Sequence, residues 1–278
     1  MEMKAWAKIN LTLDVLGKRE DGYHELSSVM QMIDLCDTLV IEKTGAAGIK
    51  LSCDLPGLPV DEGNLVYRAA KLLYADGVSI ELRKKIPVAA GLGGGSSDCA
   101  AALLGLNELL DLKLTRTELY KLGKSLGADV PYCMFGGTAL AEGIGERLTS
   151  LYRHPQVPLV LAKPPAAVST KEIFAEWLKR RAPSEPKTPK MLRAIASGEA
   201  EKIAACLGND LMPIAAAMYP EITRLLTAFE GKNALGVNMS GSGPTVYAYF
   251  AAENDAHEAH EHIRREFPCY ETYIAKTL

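Results

Sequence analysis

"PVAAGLGGGSSDCAAALLGLNELL", residues 87–110, places four glycines within five positions and then turns strongly helical. Glycine costs roughly 0.5–1 kcal/mol relative to alanine inside regular structure, so such a cluster needs a cause. Either the chain turns too sharply for a side chain, or a ligand must come close to the backbone. A helix start presents unpaired amide N–H groups and about half a positive charge, which suits an anion. A phosphate therefore fits this stretch, with Ser96 and Ser97 adding hydroxyl donors, and so does a turn that only packs helix on strand. The two common phosphate motifs do not match. G-x-x-x-x-G-K-[ST] lacks its lysine, and G-x-G-x-x-G is met at Gly91 and Gly93 but fails at Ser96.

Upstream, "MKAWAKINLTLDVL" (residues 3–16) alternates. Met3, Ala5, Ala7, Ile9, Leu11 and Leu13 share one face, and Lys4, Trp6, Lys8, Asn10, Thr12 and Asp14 the other, which predicts a half-buried strand. Asp21-Gly22 then predicts a hairpin turn. Strands follow at "VMQMID" and "DTLVIEK", a helix at residues 64–77 ending on Gly77, and a strand at 78–86 that Pro87 closes. The helix behind the glycines is expected to bury Ala100, Leu103, Leu104 and Leu110, and another helix starts near Thr115. "GADVPYCMFGGTALAEGIGE" carries glycine pairs of the kind found at strands and turns.

A shift to proline and polar residues at "SLYRHPQVP" predicts a domain boundary, dividing the chain into residues 1–152 and 153–278. Beyond it the sequence predicts a strand at "LVLAKP", a helix at "STKEIFAEWLKRR" and a Pro/Lys loop at "APSEPKTPK". Helices near 190–207 and 219–230, a strand–loop–strand at 234–250, a charged helix and a last strand near Tyr273 complete it. Strands and helices mix without strict βαβ alternation, so the class is α+β.

The 278 residues exceed one ordinary domain, and 48% apolar content is ample for a core. A net charge of −3 argues against broad nucleic-acid or anionic-membrane binding. No stretch approaches the roughly 20 apolar residues of a membrane span. The scattered cysteines without Cys-x-x-Cys predict a reduced, cytoplasmic protein. The histidines of "HEAHEHIRRE" (His257, His260, His262) do not form H-E-x-x-H and read as a solvated helix face, and no metal-binding side chains are assigned.

"PVAAGLGGGSSDCAAA" resembles the P-x-x-x-G-L-G-[GS]-S-S phosphate loop of the GHMP kinases, and two further segments agree in order: "AKINLTLDVLGKREDGYHEL" and "NMSGSGPTVYAYF". The resemblance implies two domains, the first like ribosomal protein S5 and the second ferredoxin-like. It implies a kinase using ATP and Mg2+ on a small hydroxyl substrate, as a monomer or weak homodimer. "DGYHEL" resembles the branch whose substrate carries a cytidine diphosphate, in isoprenoid precursor synthesis, rather than the homoserine or mevalonate branches.

Residue by residue, the resemblance assigns ATP binding to Pro87, Val88, Ala89, Ala90, Gly91, Leu92, Gly93, Gly94, Gly95, Ser96, Ser97 and Asn64. Ala89 and Ala90 stand where some relatives have glycine. Asp129 matches the catalytic aspartate and Lys8 the catalytic lysine, with Asn10, Tyr23, His24 and Phe174 on the substrate and Gly241, Ser242 and Gly243 supporting the phosphate loop. The residues alone leave plainer roles open. Asp129 and Asn64 suit helix caps, Lys8 an exposed strand and Tyr23-His24 a solvated hairpin tip. Phe174 suits a core-facing helix side, and Gly241 to Gly243 an ordinary hairpin.

Overall fold

The Asp21-Gly22 turn forms where the sequence predicts it. Strands β1 (Glu2–Asn10) and β2 (Thr12–Lys18) precede it and β3 (His24–Lys43) leaves it, with the Arg19 amide donating to the Tyr23 carbonyl at 2.8 Å. The structure is a computed structural model and describes residues 1–152, 154–180 and 185–278. Arg153 at the predicted boundary, the last residue of the helix expected at 169–181 and the first three of the loop expected at 182–190 lie outside the described residues.

Next come β4 (Ile49–Cys53), α1 (Leu65–Leu72), β5 (Val78–Arg83), α2 (Gly94–Leu109), α3 (Arg116–Leu126) and α4 (Val130–Phe135). Strands β6 (Thr138–Gly143), β7 (Arg147–Ser150) and β8 (Pro158–Lys163) follow, then α5 (Thr170–Arg180), α6 (Thr188–Ser197), α7 (Ala200–Ala204) and the short β9 (Gly208–Asn209). The chain closes with α8 (Met212–Met218), α9 (Pro220–Phe229), β10 (Ala234–Met239), β11 (Val246–Phe250), α10 (Glu253–Glu266) and β12 (Glu271–Lys276). No helix among the described residues is long and apolar enough to cross a membrane.

These elements form two compact units, each drawn from several stretches of chain. The first comprises Met1–Ala7, Leu35–Val88 and Gly93–Gly136. In it β5 pairs parallel with β4 and antiparallel with the last third of β3, Ile80 lying opposite both Leu51 and Ile41. Helix α2 lays Ala102, Leu103 and Leu106 against Ile41, Ile80 and Leu82 to make the core. Ala100 and Leu103 are buried as expected, whereas Leu104 and Leu110 are only partly covered. The glycines of the 127–146 segment bracket a helix as well as strands, for Val130-Pro131 starts α4.

The second unit comprises Lys8–Asp34, Ala89–Leu92 and Gly137–Leu278. The first part of β3 pairs antiparallel with β2 and β6, and β2 pairs parallel with β9. A separate four-stranded antiparallel sheet runs in the order β10-β11-β8-β12. With α9 between β8 and β10, and α10 between β11 and β12, this is the ferredoxin-like βαββαβ arrangement. Phe229, Leu225 and Ile263 pack on its Val160, Val246 and Ala248.

Two strand expectations change. The segments at 29–34 and 37–43 form one strand of 20 residues that runs on through Leu35 and Cys36, and the buried Asp37 at the start of the second segment is satisfied from outside the strand: its Oδ1 accepts from the Lys85 and Ile86 amides at 2.5 and 2.8 Å. The half-buried strand is buried on both faces from Ala7 to Val15, so Lys8, Asn10, Thr12 and Asp14 are interior polar residues. Buried polar groups need partners, and theirs define part of the candidate site.

Candidate active site

The first intrahelical bond of α2 runs from the Ser97 amide to the Gly93 carbonyl at 2.8 Å. The Gly94, Gly95 and Ser96 amides precede it and so have no carbonyl of their own helix to meet. The glycines before and within this turn serve different ends. At Gly91, φ is +74°, and an added Cβ would collide with the Ser240 carbonyl oxygen and lie 3.1 Å from that of Gly243. Gly91 is therefore bare so that the loop can lie against the 240–243 turn of the same unit. At Gly94 a Cβ would press on Ile86 Cγ2 at 3.0 Å. Gly95 differs: it is exposed, and a Cβ there would reach only Leu65 Cδ1 at 3.9 Å. No protein neighbour requires glycine at Gly95; its bareness leaves open space in front of unpaired amides.

The 240–243 turn is itself fastened. Ser240 Oγ donates to the Gly91 carbonyl at 2.8 Å, and Asn209 Nδ2 donates to the Met239 and Gly241 carbonyls, both at 2.8 Å. Ser242 Oγ meets Thr170 Oγ1 at 2.7 Å. Ser240 and Asn209 were not singled out by sequence. Ser240 directly precedes the glycine pattern, while nothing marks Asn209 along the chain.

Ala89 carries a side chain at φ +52°. Ala89→Gly is expected to stabilise the fold by on the order of 1 kcal/mol, because alanine pays a steric penalty there that glycine does not. A thermal melt checks this, and an unchanged or lower midpoint contradicts it.

The two loop serines diverge. Ser97 is buried and donates its hydroxyl to the Trp6 carbonyl at 2.7 Å, whereas Ser96 is half-buried at the mouth of the helix. A Cβ at Gly127 would stand 3.7 Å from Ser96 Oγ, so the Gly127-Ala128-Asp129 turn adjoins that mouth within the first unit. Asp129 occupies the N-cap position of α4, yet its side chain makes no cap hydrogen bond. Asn64 is a full cap of α1: Oδ1 accepts from the Val66 amide at 2.9 Å and Nδ2 donates to the Pro59 carbonyl at 2.8 Å.

Under α2 lies an ion cluster that sequence gave no reason to assemble. Lys84 Nζ donates to Asp37 Oδ2 at 2.5 Å and Asp98 Oδ2 at 2.6 Å, and all three side chains are almost wholly buried. Burial disfavours the ammonium, but the pull of Asp98 and Asp37 outweighs it and raises the Lys84 pKa. Burial pushes the Asp98 carboxyl up to about 7 against the pull of Lys84. Asp98 Oδ1 is buried with no hydrogen-bond partner among the described residues.

In the second unit the buried polar row of β1 and β2 is linked. Lys8 Nζ donates to Asn10 Oδ1 at 2.7 Å, Asn10 Nδ2 to Ser28 Oγ at 2.8 Å, and Ser28 Oγ to the Thr12 carbonyl at 2.5 Å. Asp14 continues the row by accepting from the Lys187 and Thr188 amides at 2.9 and 2.8 Å, which caps α6 from outside. The same alternation that exposed Lys8 and Asn10 to view contained Thr12 and Asp14.

Tyr23 stands exposed at the hairpin tip. His24, not Tyr23, lies on Phe174, with ring centroids 4.5 Å apart and planes inclined by 23°. Phe174 is half-buried and packs against the core of the second unit, to which the fully buried Ile173 of the same helix belongs. The histidines of the charged segment lie on α10, which buries Ala256, Ala259 and Ile263. Among the described residues no group of three or more His, Cys, Asp or Glu side chains could hold a metal ion.

A helix mouth of bare amides with an aspartate turn beside it, in a chain that also carries a ferredoxin-like unit, fits a phosphotransferase. Residues 64–137 match the model of the GHMP kinases N terminal domain and residues 191–269 that of the GHMP kinases C terminal. The chain belongs to the GHMP kinases, a family that uses ATP as phosphate donor. Within that family it is similar to 4-diphosphocytidyl-2-C-methyl-D-erythritol kinase of Pelotomaculum thermopropionicum, at 48% identity over 94% of this chain and 93% of that one. A crystal structure of 4-(cytidine 5'-diphospho)-2C-methyl-D-erythritol kinase superposes with a TM-score of 0.85 at 34% identity, covering 100% of this chain and 99% of the other. Mevalonate kinase of L. major, at 16% identity and a TM-score of 0.79 over 100% of this chain and 95% of its own, shares the fold.

Proposed function

We propose that this chain transfers the terminal phosphoryl group of ATP to the 2-hydroxyl of 4-diphosphocytidyl-2-C-methyl-D-erythritol, giving the 2-phosphate and ADP. The setting is cytoplasmic, in non-mevalonate isoprenoid precursor synthesis. Residues 1–152 carry ATP binding and residues 153–278 form the second kinase domain. The observation that carries the reading is the open space at Gly95 before the unpaired amides of α2, with the Asp129 turn against Ser96. Relatives similar over nearly the whole chain supply the substrate.

Phosphoryl transfer demands positioning and charge stabilisation more than covalent chemistry from the protein. The Gly94, Gly95 and Ser96 amides and the positive end of α2 hold the phosphates. The Asp129 carboxylate accepts the hydroxyl proton as the oxygen bonds to phosphorus and ADP departs. Lys8 offsets charge on the moving group, and Asn10, which orients the Lys8 ammonium, also bonds the substrate hydroxyl. The charge of Mg2+ neutralises the phosphates when it is bound with ATP. Such an ion keeps several waters and takes few protein ligands, which suits a mouth offering Ser96 rather than a side-chain cage. Tyr23, His24 and Phe174 receive the cytosine.

An ADP-release assay with the cytidyl substrate, against mevalonate and homoserine, tests the assignment. Turnover should require the cytidyl compound, and preference for either control would favour another GHMP kinase. Tyr23→Ala is expected to raise KM for that substrate about fivefold or more, since stacking on a base is worth about 1–3 kcal/mol. An unchanged KM would remove Tyr23 from the site.

A further inference from the structure

We propose that the Lys84–Asp98 ion pair positions the phosphate-holding amides of α2, which makes both side chains positioning residues for ATP; this rests on reading the α2 mouth as the phosphate site. Lys84 stands just before the glycine stretch and Asp98 just after it. Lys84 Nζ donates to Asp98 Oδ2 at 2.6 Å across 14 residues of chain, so the two flanks of the stretch are joined. Asp37 of β3 holds the first flank from the other side. It accepts from the Lys84 ammonium and, through Oδ1, from the Lys85 and Ile86 amides. Ile86 and Lys84 in turn back the first residue of the helix: a Cβ at Gly94 would stand 3.0 Å from Ile86 Cγ2 and 3.5 Å from Lys84 Nζ. All of these residues belong to the first unit.

A glycine-rich stretch is loosely constrained backbone, so holding its amides toward a phosphate costs conformational entropy on binding. Joining its flanks removes part of that freedom beforehand, which raises affinity without adding a contact to the ligand. Stability alone gives Asp98 no purpose. Its Oδ1 is buried without a hydrogen-bond partner among the described residues, and Lys84 is already neutralised by Asp37. An unmet buried acceptor costs folding energy, so the carboxylate is explained by what it places. Attraction of ATP by charge does not explain it either, because one ammonium between two carboxyls carries no net positive charge.

Titration of the full chain with ADP, together with steady-state kinetics, compares Asp98→Ala, Asp98→Asn and Gly95→Val. Asp98→Ala keeps the Lys84–Asp37 pair and so should fold. It is expected to raise Kd for ADP and KM for ATP about tenfold, within what a small misplacement of positioned groups costs, while kcat changes less than about twofold. Asp98→Asn keeps an oxygen for the Lys84 ammonium and should return both constants to near wild type. Unchanged binding in Asp98→Ala overturns the proposal even if its melting temperature falls, since that marks a structural role only. Tighter binding overturns it too, because the carboxylate would then act by repelling phosphate. Binding by Asp98→Asn as weak as that by Asp98→Ala would show that the hydrogen bond does not place the amides, and overturns it as well. Gly95→Val, which fills the mouth itself, separates the two readings. If it weakens ADP binding while Asp98→Ala does not, the role of the ion pair alone falls; if it leaves ADP binding unchanged, the mouth reading falls with it.

Discussion

Asp129→Asn is expected to lower kcat by about 10²-fold or more while KM for ATP stays near its wild-type value. The amide keeps the size of the carboxylate but cannot take the proton of the substrate hydroxyl. The local fold should survive, because the Asp129 side chain makes no cap bond to α4 and that helix start is set by Pro131 and backbone geometry. Nucleotide binding should survive as well, because the phosphate-holding amides belong to α2. Steady-state kinetics at saturating ATP, paired with nucleotide titration, separate the two effects. Activity within a few-fold of wild type would show that Asp129 is not the base.

Lys84→Met is expected to destabilise the protein by about 3–5 kcal/mol, the usual consequence of stripping one partner from a buried ion cluster. Asp37 and Asp98 would then face each other in the interior without their shared cation. Urea unfolding gives the measure, and a loss below about 1 kcal/mol would mean that the cluster hydrates or relaxes easily. Asp98 adds a pH signature. It ionises near 7 when folded and near 3.8 ordinarily, so between these values the folded chain holds a proton that the unfolded chain has released. The contribution of Asp98 to stability is thus fully present below about 4, declines as the pH rises to about 7 and is flat above that. Asp98→Asn should remove this slope from the stability profile, and an identical profile in the variant would place the titration elsewhere.

Much of the architecture could be read along the chain because local rules govern it. The Asp-Gly turn, the Thr115 start of α3 with its capping box through Glu118, and the glycine-to-helix junction at α2 each depend on residues close in sequence. The union of two expected strands into β3 could not be read this way, since Asp37 is satisfied by Lys84, Lys85 and Ile86, more than 40 residues away. The same separation hid the Lys84 cluster and the fastening of the 240–243 turn by Asn209. Of the candidate site, the glycines and the polar alternation of β1 were visible, but their reasons were not. Sequence treats Gly91 and Gly95 alike; only the carbonyl of Ser240 against one and open space before the other distinguish a packing glycine from one that leaves room for a ligand. Likewise, Ser96 and Ser97 are adjacent and identical in type, and it takes the Trp6 carbonyl to tell them apart.

The order in which the chain visits its two units has a consequence for biogenesis. It changes unit five times, after Ala7, Asp34, Val88, Leu92 and Gly136. An emerging nascent polypeptide therefore cannot finish the second unit until its final strand, β12, has left the ribosome to pair with β8. Residues 8–34 and 89–92 must wait, their apolar surfaces uncovered, for partners synthesised last. Such long-range closure slows folding and lengthens exposure to aggregation, so a truncated translation product ending at residue 136 should be a chaperone client rather than a free-standing domain.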